Sequence, residues 1–108
     1  RGRVFTPKST ADFERHIRKS TKLQYHLANL EPFQGTVEIT FAFEYKRPKR
    51  TTLEIPRADL DNLVKAVLDG LNEVAFVDDK QVALIAASKG WSDRDMIKVS
   101  ITEFNKGG

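Results

Sequence analysis

Apolar and polar positions alternate most regularly over residues 36–45, with Val37, Ile39, Phe41, Phe43 and Tyr45 on one side and Thr36, Glu38, Thr40 and Glu44 on the other. A period of two is that of a strand with one buried face, so a half-buried strand is predicted here. After Pro56 the period changes: Leu60, Leu63, Val64, Val67, Leu71 and Val74 recur at spacings of three and four. That spacing predicts a helix over about 61–74 with its apolar stripe against the core. An earlier helix is predicted from about Thr10. Ser9 or Thr10 caps it, Asp12 and Glu14 suit the positive end of its dipole, and Phe13, Ile17, Leu23, Leu27 and Leu30 form a rough stripe. The stripe falters between Ile17 and Leu23, so either the buried face shifts there or two helical pieces are joined. Pro32 and Gly35 end the segment.

Residues 53–55 read as a short extended piece, and 81–87 and 96–102 as two strands separated by the polar run Ser92-Asp93-Arg94-Asp95, which suits an antiparallel hairpin. Helices and strands in this order predict an α+β fold: a mixed or antiparallel sheet packed against two main helices. A length of 108 residues with 40% apolar side chains allows one compact core, so a single domain over 1–108 is expected, with Asn105-Lys106-Gly107-Gly108 frayed at its end. No repeat, low-complexity tract or linker interrupts it.

The chain has no cysteine, which excludes disulfides and thiolate metal sites and leaves oxygen or imidazole ligands for any metal. Its apolar runs are far shorter than the ~20 residues that span a bilayer, and the opening residues lack the apolar core of a signal peptide. A soluble, cytoplasmic protein without membrane contact is expected. The net charge of +3 says less than its distribution. Arg1, Arg3, Lys8, Arg15, Arg18, Lys19 and Lys22 crowd the first part, and Lys46, Arg47, Lys49, Arg50 and Arg57 the middle. Between them and the end, residues 58–79 hold five aspartates and one lysine. A basic frame attracts phosphate backbones and an acidic centre attracts divalent cations, although a charge-patterned inert surface has the same composition.

Candidate chemistry concentrates in Asp59-Leu60-Asp61-Asn62-Leu63-Val64-Lys65, followed later by Asp78-Asp79. Carboxylates two apart share a side only of an extended segment, so Asp59 and Asp61 act together if Asp61 stands at or near the helix cap. Asp61, Lys65 and Asp69 then follow at spacings of four along one polar stripe. The bland reading is a capped, solvent-facing helix with ordinary aspartate–lysine pairs. Against it stands the second acidic pair: a helix followed by a short return can carry Asp78-Asp79 back beside Asp59 and Asp61. Crowded hard oxygen ligands suit Mg²⁺ or Mn²⁺ and phosphodiester hydrolysis. His16 and His26, ten apart, have no metal-motif spacing and read as surface or interface residues. Trp91 reads as a packing or dimer residue, with stacking on an unpaired base as the alternative.

The run Asp59-Leu60-Asp61-Asn62-Leu63-Val64-Lys65-Ala66-Val67-Leu68-Asp69-Gly70-Leu71-Asn72, then Val77-Asp78-Asp79-Lys80-Gln81-Val82, resembles the signature of RusA-type Holliday junction resolvases. Gly2-Arg3-Val4-Phe5-Thr6-Pro7-Lys8 is similar to that family's arginine-rich entry to its first helix, and the strand and basic proline turn over 36–49 also correspond. The resemblance implies a further proline-containing strand ahead of this point. It also implies that the essential carboxylates are Asp59, Asp61 and Asp79, holding Mg²⁺ (Mn²⁺ substituting), with Lys65 as the essential lysine and Asp78 and Asp69 as possible additional acidic groups. It implies a homodimer, bacterial or phage-encoded, making paired cuts in four-way junctions. In that reading Arg1, Arg3, Lys8, Lys46, Arg47, Lys49, Arg50 and Arg57 contact phosphates. Two alternatives stand beside it: a nuclease of the same scaffold acting on flaps or forks, and a basic DNA-binding module without catalysis.

Overall fold

A computed structural model describes residues 2–3 and 10–104. In chain order they form β1 (Gly2–Arg3), α1 (Thr10–Ala28), β2 (Val37–Lys46), α2 (Leu60–Leu71), a 3-10 turn (Asp79–Gln81), β3 (Val82–Ser92) and β4 (Met96–Glu103). The fold is α+β, with both helices laid on one face of a mixed sheet whose order is β1-β4-β2-β3.

Strand β2 forms where the alternation is cleanest, and Val37, Ile39, Phe41 and Phe43 are all buried. It is the central strand, parallel to β3 and antiparallel to β4. The expected hairpin of the last two strands is therefore corrected: β2 lies between them. The polar run 92–95 crosses the end of β2 instead of closing a tight turn, and two bonds hold it there. Asp95 accepts from the Lys46 main-chain N–H at 2.8 Å, and Ser92 O from that of Arg47 at 3.1 Å. A period-two pattern tells which side chains share a face and says nothing of which strand is the neighbour.

The first helix is one piece, but its stripe changes residues. Phe13 and Ile17 are buried, whereas Leu23 and Leu27 are 52% and 73% exposed, and Leu30, past the helix, is 52% exposed. Spacings of three and four from Ile17 lead to Ser20, Thr21, Gln24 and Tyr25, which line an apolar groove with Leu71, Ile97 and Val99. The helix keeps its face to the sheet and tolerates polar residues on it, so the stripe read through the leucines is not the buried face. Residues 53–55 form no strand.

Helix α2 begins one residue earlier than predicted, at Leu60, and ends earlier, at Leu71. Asn72 leaves the helical region (ψ 132°) and Glu73 takes a positive φ of 68°, so Val74 reaches the core through a turn. Phe13, Ile17, Ala66, Val67, Leu71, Ala75 and Phe76 close over the buried face of β2. The rings of Phe41 and Phe43 stand 5.9 Å apart, and those of Phe13 and Phe43 6.3 Å. The terminal residues 105–108, expected to fray, lie outside the described residues.

Candidate functional site

The start of α2 is built by Asp59. Its backbone is extended (φ −75°, ψ 112°), and it caps the helix: Oδ1 accepts the Asp61 main-chain N–H at 3.0 Å and Oδ2 accepts the Asn62 side-chain N–H at 3.3 Å. Pro56, buried just upstream, keeps the approach extended. Asp61 is therefore the second helical residue, beside the cap, with its carboxylate exposed. An ionised carboxylate offers about four lone-pair sites, so capping leaves Asp59 able to bind further. One turn on, exposed Lys65 lines a groove of about 370 Å³ together with Ala11, Glu14, Asn62, Ala66 and Asp69. Among the described residues Lys65 forms no salt bridge.

Asp78 and Asp79 are arranged by a capping box. Asp78 Oδ1 accepts the Lys80 main-chain N–H at 2.9 Å, while Gln81 Oε1 accepts that of Asp78 at 2.8 Å. The amide of Gln81 also donates to the carbonyls of Phe33 and Gly35 at 2.8 and 2.7 Å, which pins this turn to the segment entering β2. The Lys80 N–H holds Asp78 below the usual carboxylate range. Asp79 is pushed above it by its hydrogen bond with Asp78, by partial desolvation, and by the charges of Asp78 and Asp69.

These two acidic groups do not meet. Asp59 and Asp61 stand at the N-terminal end of α2, and Asp79 lies beyond the other end, near Asp69; eight helical residues separate Asp61 from Asp69, or ~12 Å of rise. The connection after α2 returns to the start of β3, and β3 runs parallel to β2, so the return leads away from the cap. The expectation that Asp78-Asp79 folds back beside Asp59 and Asp61 is corrected for a single chain. Among the described residues no three His, Asp or Glu side chains gather closely enough to hold a metal ion.

Beside the cap lies the basic region. Lys46, Arg50 and Arg57 line a cleft of about 690 Å³ with Tyr45, Pro48, Pro56, Trp91 and Asp95, and Ala58, next to Asp59, forms part of its wall. Burial, then the charge of Asp95, pushes the Tyr45 phenol up, so it is a neutral donor over the ordinary pH range. The Trp91 indole N–H donates to the Leu53 carbonyl at 2.9 Å and fixes the loop that leads from the basic turn to α2. Of the packing or dimer role expected of it, this bond supplies the packing part. Arg47 and Lys49 are exposed and do not line the cleft, Arg3 lies in β1, and Arg1 and Lys8 fall outside the described residues. Reading the sequence missed Lys89, whose ammonium donates to the Ala58 carbonyl at 2.5 Å and ties β3 to the residue before Asp59. Only the parallel register Phe43↔Lys89 brings it there, and no local pattern encodes that register. His16 makes a contact with Ser20 Oγ at 3.4 Å, within its own helix.

No helix among the described residues is long and apolar enough to cross a membrane. The sequence model of the family described as Endodeoxyribonuclease RusA matches residues 1–102. Over 47 residues the chain is 40% identical to a Bacillus subtilis (strain 168) protein that carries the name Uncharacterized protein YqaN. That match covers 44% of this chain and 33% of the relative, so the chain aligns with about a third of that protein's length.

Proposed function

Because the chain belongs to the endodeoxyribonuclease RusA family, we propose that it is an endonuclease, bacterial or phage-encoded, that cuts branched DNA by phosphodiester hydrolysis in the bacterial cytoplasm, with four-way junctions as its preferred substrate. One observation carries this reading: the exposed carboxylates at the start of α2 follow directly on Ala58, which forms part of the wall of a cleft lined by cations and two aromatic rings. A strand of DNA tracking that cleft brings its phosphates to Asp59 and Asp61.

Lys46, Arg50 and Arg57 form no salt bridge among the described residues, so their charges are available to phosphate oxygens. Each such contact releases counterions and makes binding fall steeply with salt, without reading sequence. Lys65, one turn from Asp61, is the cation placed to neutralise a non-bridging oxygen of the scissile phosphate. In the reaction a water oxygen bonds to phosphorus as one bridging P–O bond breaks, leaving a phosphate on one fragment and a hydroxyl on the other. Asp59, Asp61 and Asp79 have the hard-oxygen chemistry that Mg²⁺ or Mn²⁺ takes, yet a single chain holds them at opposite ends of α2 and does not fit such an ion.

The test is cleavage of an end-labelled four-way junction beside a flap, a fork and a linear duplex, each with Mg²⁺ and with EDTA. Symmetric, metal-dependent cuts in the junction are expected. Cutting confined to flap or fork overturns the substrate, and binding without cutting under any metal leaves a basic DNA-binding module.

A further inference from the structure

The Leu63 main-chain N–H donates to the Asp59 carbonyl at 3.1 Å, which makes Asp59 the first acceptor of α2 and leaves the carbonyl of Ala58 outside the helix. A partly buried carbonyl in that place needs a donor from elsewhere, and the ammonium of Lys89 supplies it at 2.5 Å. Lys89 stands level with buried Phe43 in the parallel register, so its side chain rises from the helix-bearing face of the sheet. Ile85 and Ala87, earlier on that face, are apolar. A half-buried ammonium in such a row costs free energy unless it is bonded, and among the described residues Lys89 forms no ion pair. Its one printed partner is the carbonyl beside Asp59.

Trp91, the next residue on the same face of β3, donates to the Leu53 carbonyl at 2.9 Å. One strand thus holds the loop before α2 at two points, with buried Pro56 and Arg57 between them. The two bonds act on different groups. Leu53 lies back along the loop, whereas the Ala58 carbonyl belongs to the peptide group whose nitrogen is that of Asp59. A peptide group is planar, so fixing its oxygen fixes the plane from which the Asp59 Cα departs. On the helix side the Asp59 carboxylate is held by the Asp61 N–H at 3.0 Å and by the Asn62 amide at 3.3 Å. Asp59 is therefore anchored twice, to α2 through its side chain and to β3 through its main chain.

We propose that Lys89 is a positioning residue for strand cleavage: through the Ala58 carbonyl it sets where the Asp59 carboxylate stands relative to a scissile phosphate. Its effect on rate rests on the nuclease reading; its hold on the Asp59 cap does not.

Lys89→Met keeps the apolar stem and removes the ammonium, and Lys89→Arg restores a charged donor; Lys89→Gln replaces the methionine variant if that chain does not fold. Ile97→Val, a change in the buried core away from the cap, controls for a general loss of stability. Exchange of the Asp61 main-chain N–H with water, followed by NMR, reports the cap without any reaction. It should quicken in Lys89→Met, return towards the wild-type rate in Lys89→Arg and stay unchanged in Ile97→Val. Single-turnover cleavage of the four-way junction in Mg²⁺ at saturating protein should fall by roughly 10- to 100-fold in Lys89→Met, up to the loss that a misplacement of about 1 Å produces. Junction affinity should change little, and Lys89→Arg should recover most of the rate. Weaker binding with an unchanged rate at saturation would make Lys89 a phosphate contact, and equal losses in Lys89→Met and Ile97→Val would make it a structural residue. Either result overturns the proposal, as does unchanged exchange at Asp61. Wild-type protein that never cuts, with exchange at Asp61 quickened in Lys89→Met, sinks the nuclease reading and leaves the placement of Asp59 by Lys89 standing.

Discussion

The guanidinium of Arg18 donates to the main-chain carbonyl of Asn72 at 3.0 Å, joining the middle of α1 to the C-terminal end of α2, and its second nitrogen reaches the Asp69 carbonyl. The last carbonyls of a helix have no partner within it. Arg18 supplies one and fixes the end of α2 from which the chain turns toward Asp78 and Asp79. Arg18→Ala should lower stability by about 2 kcal/mol, within the range for hydrogen bonds that involve a charged group, read as a lower urea midpoint. Arg18→Lys should recover only part of it, because an ammonium lacks the planar fork.

Gly70→Ala reverses an ordinary expectation. In an exposed helix interior that change stabilises by up to ~1 kcal/mol. Here a Cβ would stand 2.8 Å from Ile17 Cγ2 and 2.9 Å from the Glu14 carbonyl oxygen, where α2 crosses α1. The backbone oxygen cannot move aside without shifting α1, so overpacking should cost about 1–3 kcal/mol. A raised melting temperature in Gly70→Ala would show that the helices are not in this contact.

Much of this was legible in the sequence for physical reasons that apply position by position. The alternation over 36–45 marks a strand whose faces differ, and the spacing from Leu60 to Val74 marks a helix with one apolar side; the strand is where the pattern puts it, and the helix stops short of Val74, at Leu71. An aspartate cap at this point was legible because such a side chain satisfies free N–H groups, but the sequence put Asp61 at or near it, and the cap is Asp59, directly before Leu60. Neighbour relations were not. That β2 separates β3 from β4, that Lys89 reaches Ala58, and that Asp79 lies beyond the far end of α2 all follow from strand order, which a one-dimensional pattern does not contain. Leu23 and Leu27 were misread because composition favoured them over Ser20 and Gln24, which hold the correct helical face.

Asp79 carries an electrostatic cost. Its pKa is raised, so its charged form is less favoured in the folded chain than in the unfolded one. The cost is absent below the usual carboxylate range, where Asp79 is protonated in both states, and grows as pH rises through its raised folded value. Asp78 has the opposite sign: its lowered pKa contributes stability above the usual range that is lost on acidification. Asp79→Asn should therefore raise the melting temperature slightly at neutral pH and not at pH 3, and Asp78→Asn should lower it at neutral pH by weakening the cap. Equal melting curves at both pH values would contradict this.

Arg50 and Arg57 line the cleft beside the helix cap. Replacing either with alanine should weaken junction binding by a similar factor for every sequence and reduce the slope of log K against log salt by about 1. A change in cut-site preference with an unaltered salt slope would mean that these arginines read bases.

The most direct measurement is single-turnover cleavage of a labelled four-way junction in Mg²⁺ by the wild-type chain and by Asp61→Asn, with junction binding followed in parallel. Asparagine keeps the size of Asp61 and leaves the cap made by Asp59 in place. The predicted result is metal-dependent cutting by the wild type, a loss of at least ~10²-fold in Asp61→Asn as expected for removal of a charged catalytic group, and binding within a few-fold of the wild type. Equal cutting by both proteins, or none by either, would contradict the assignment of the exposed carboxylates of α2 to the chemistry.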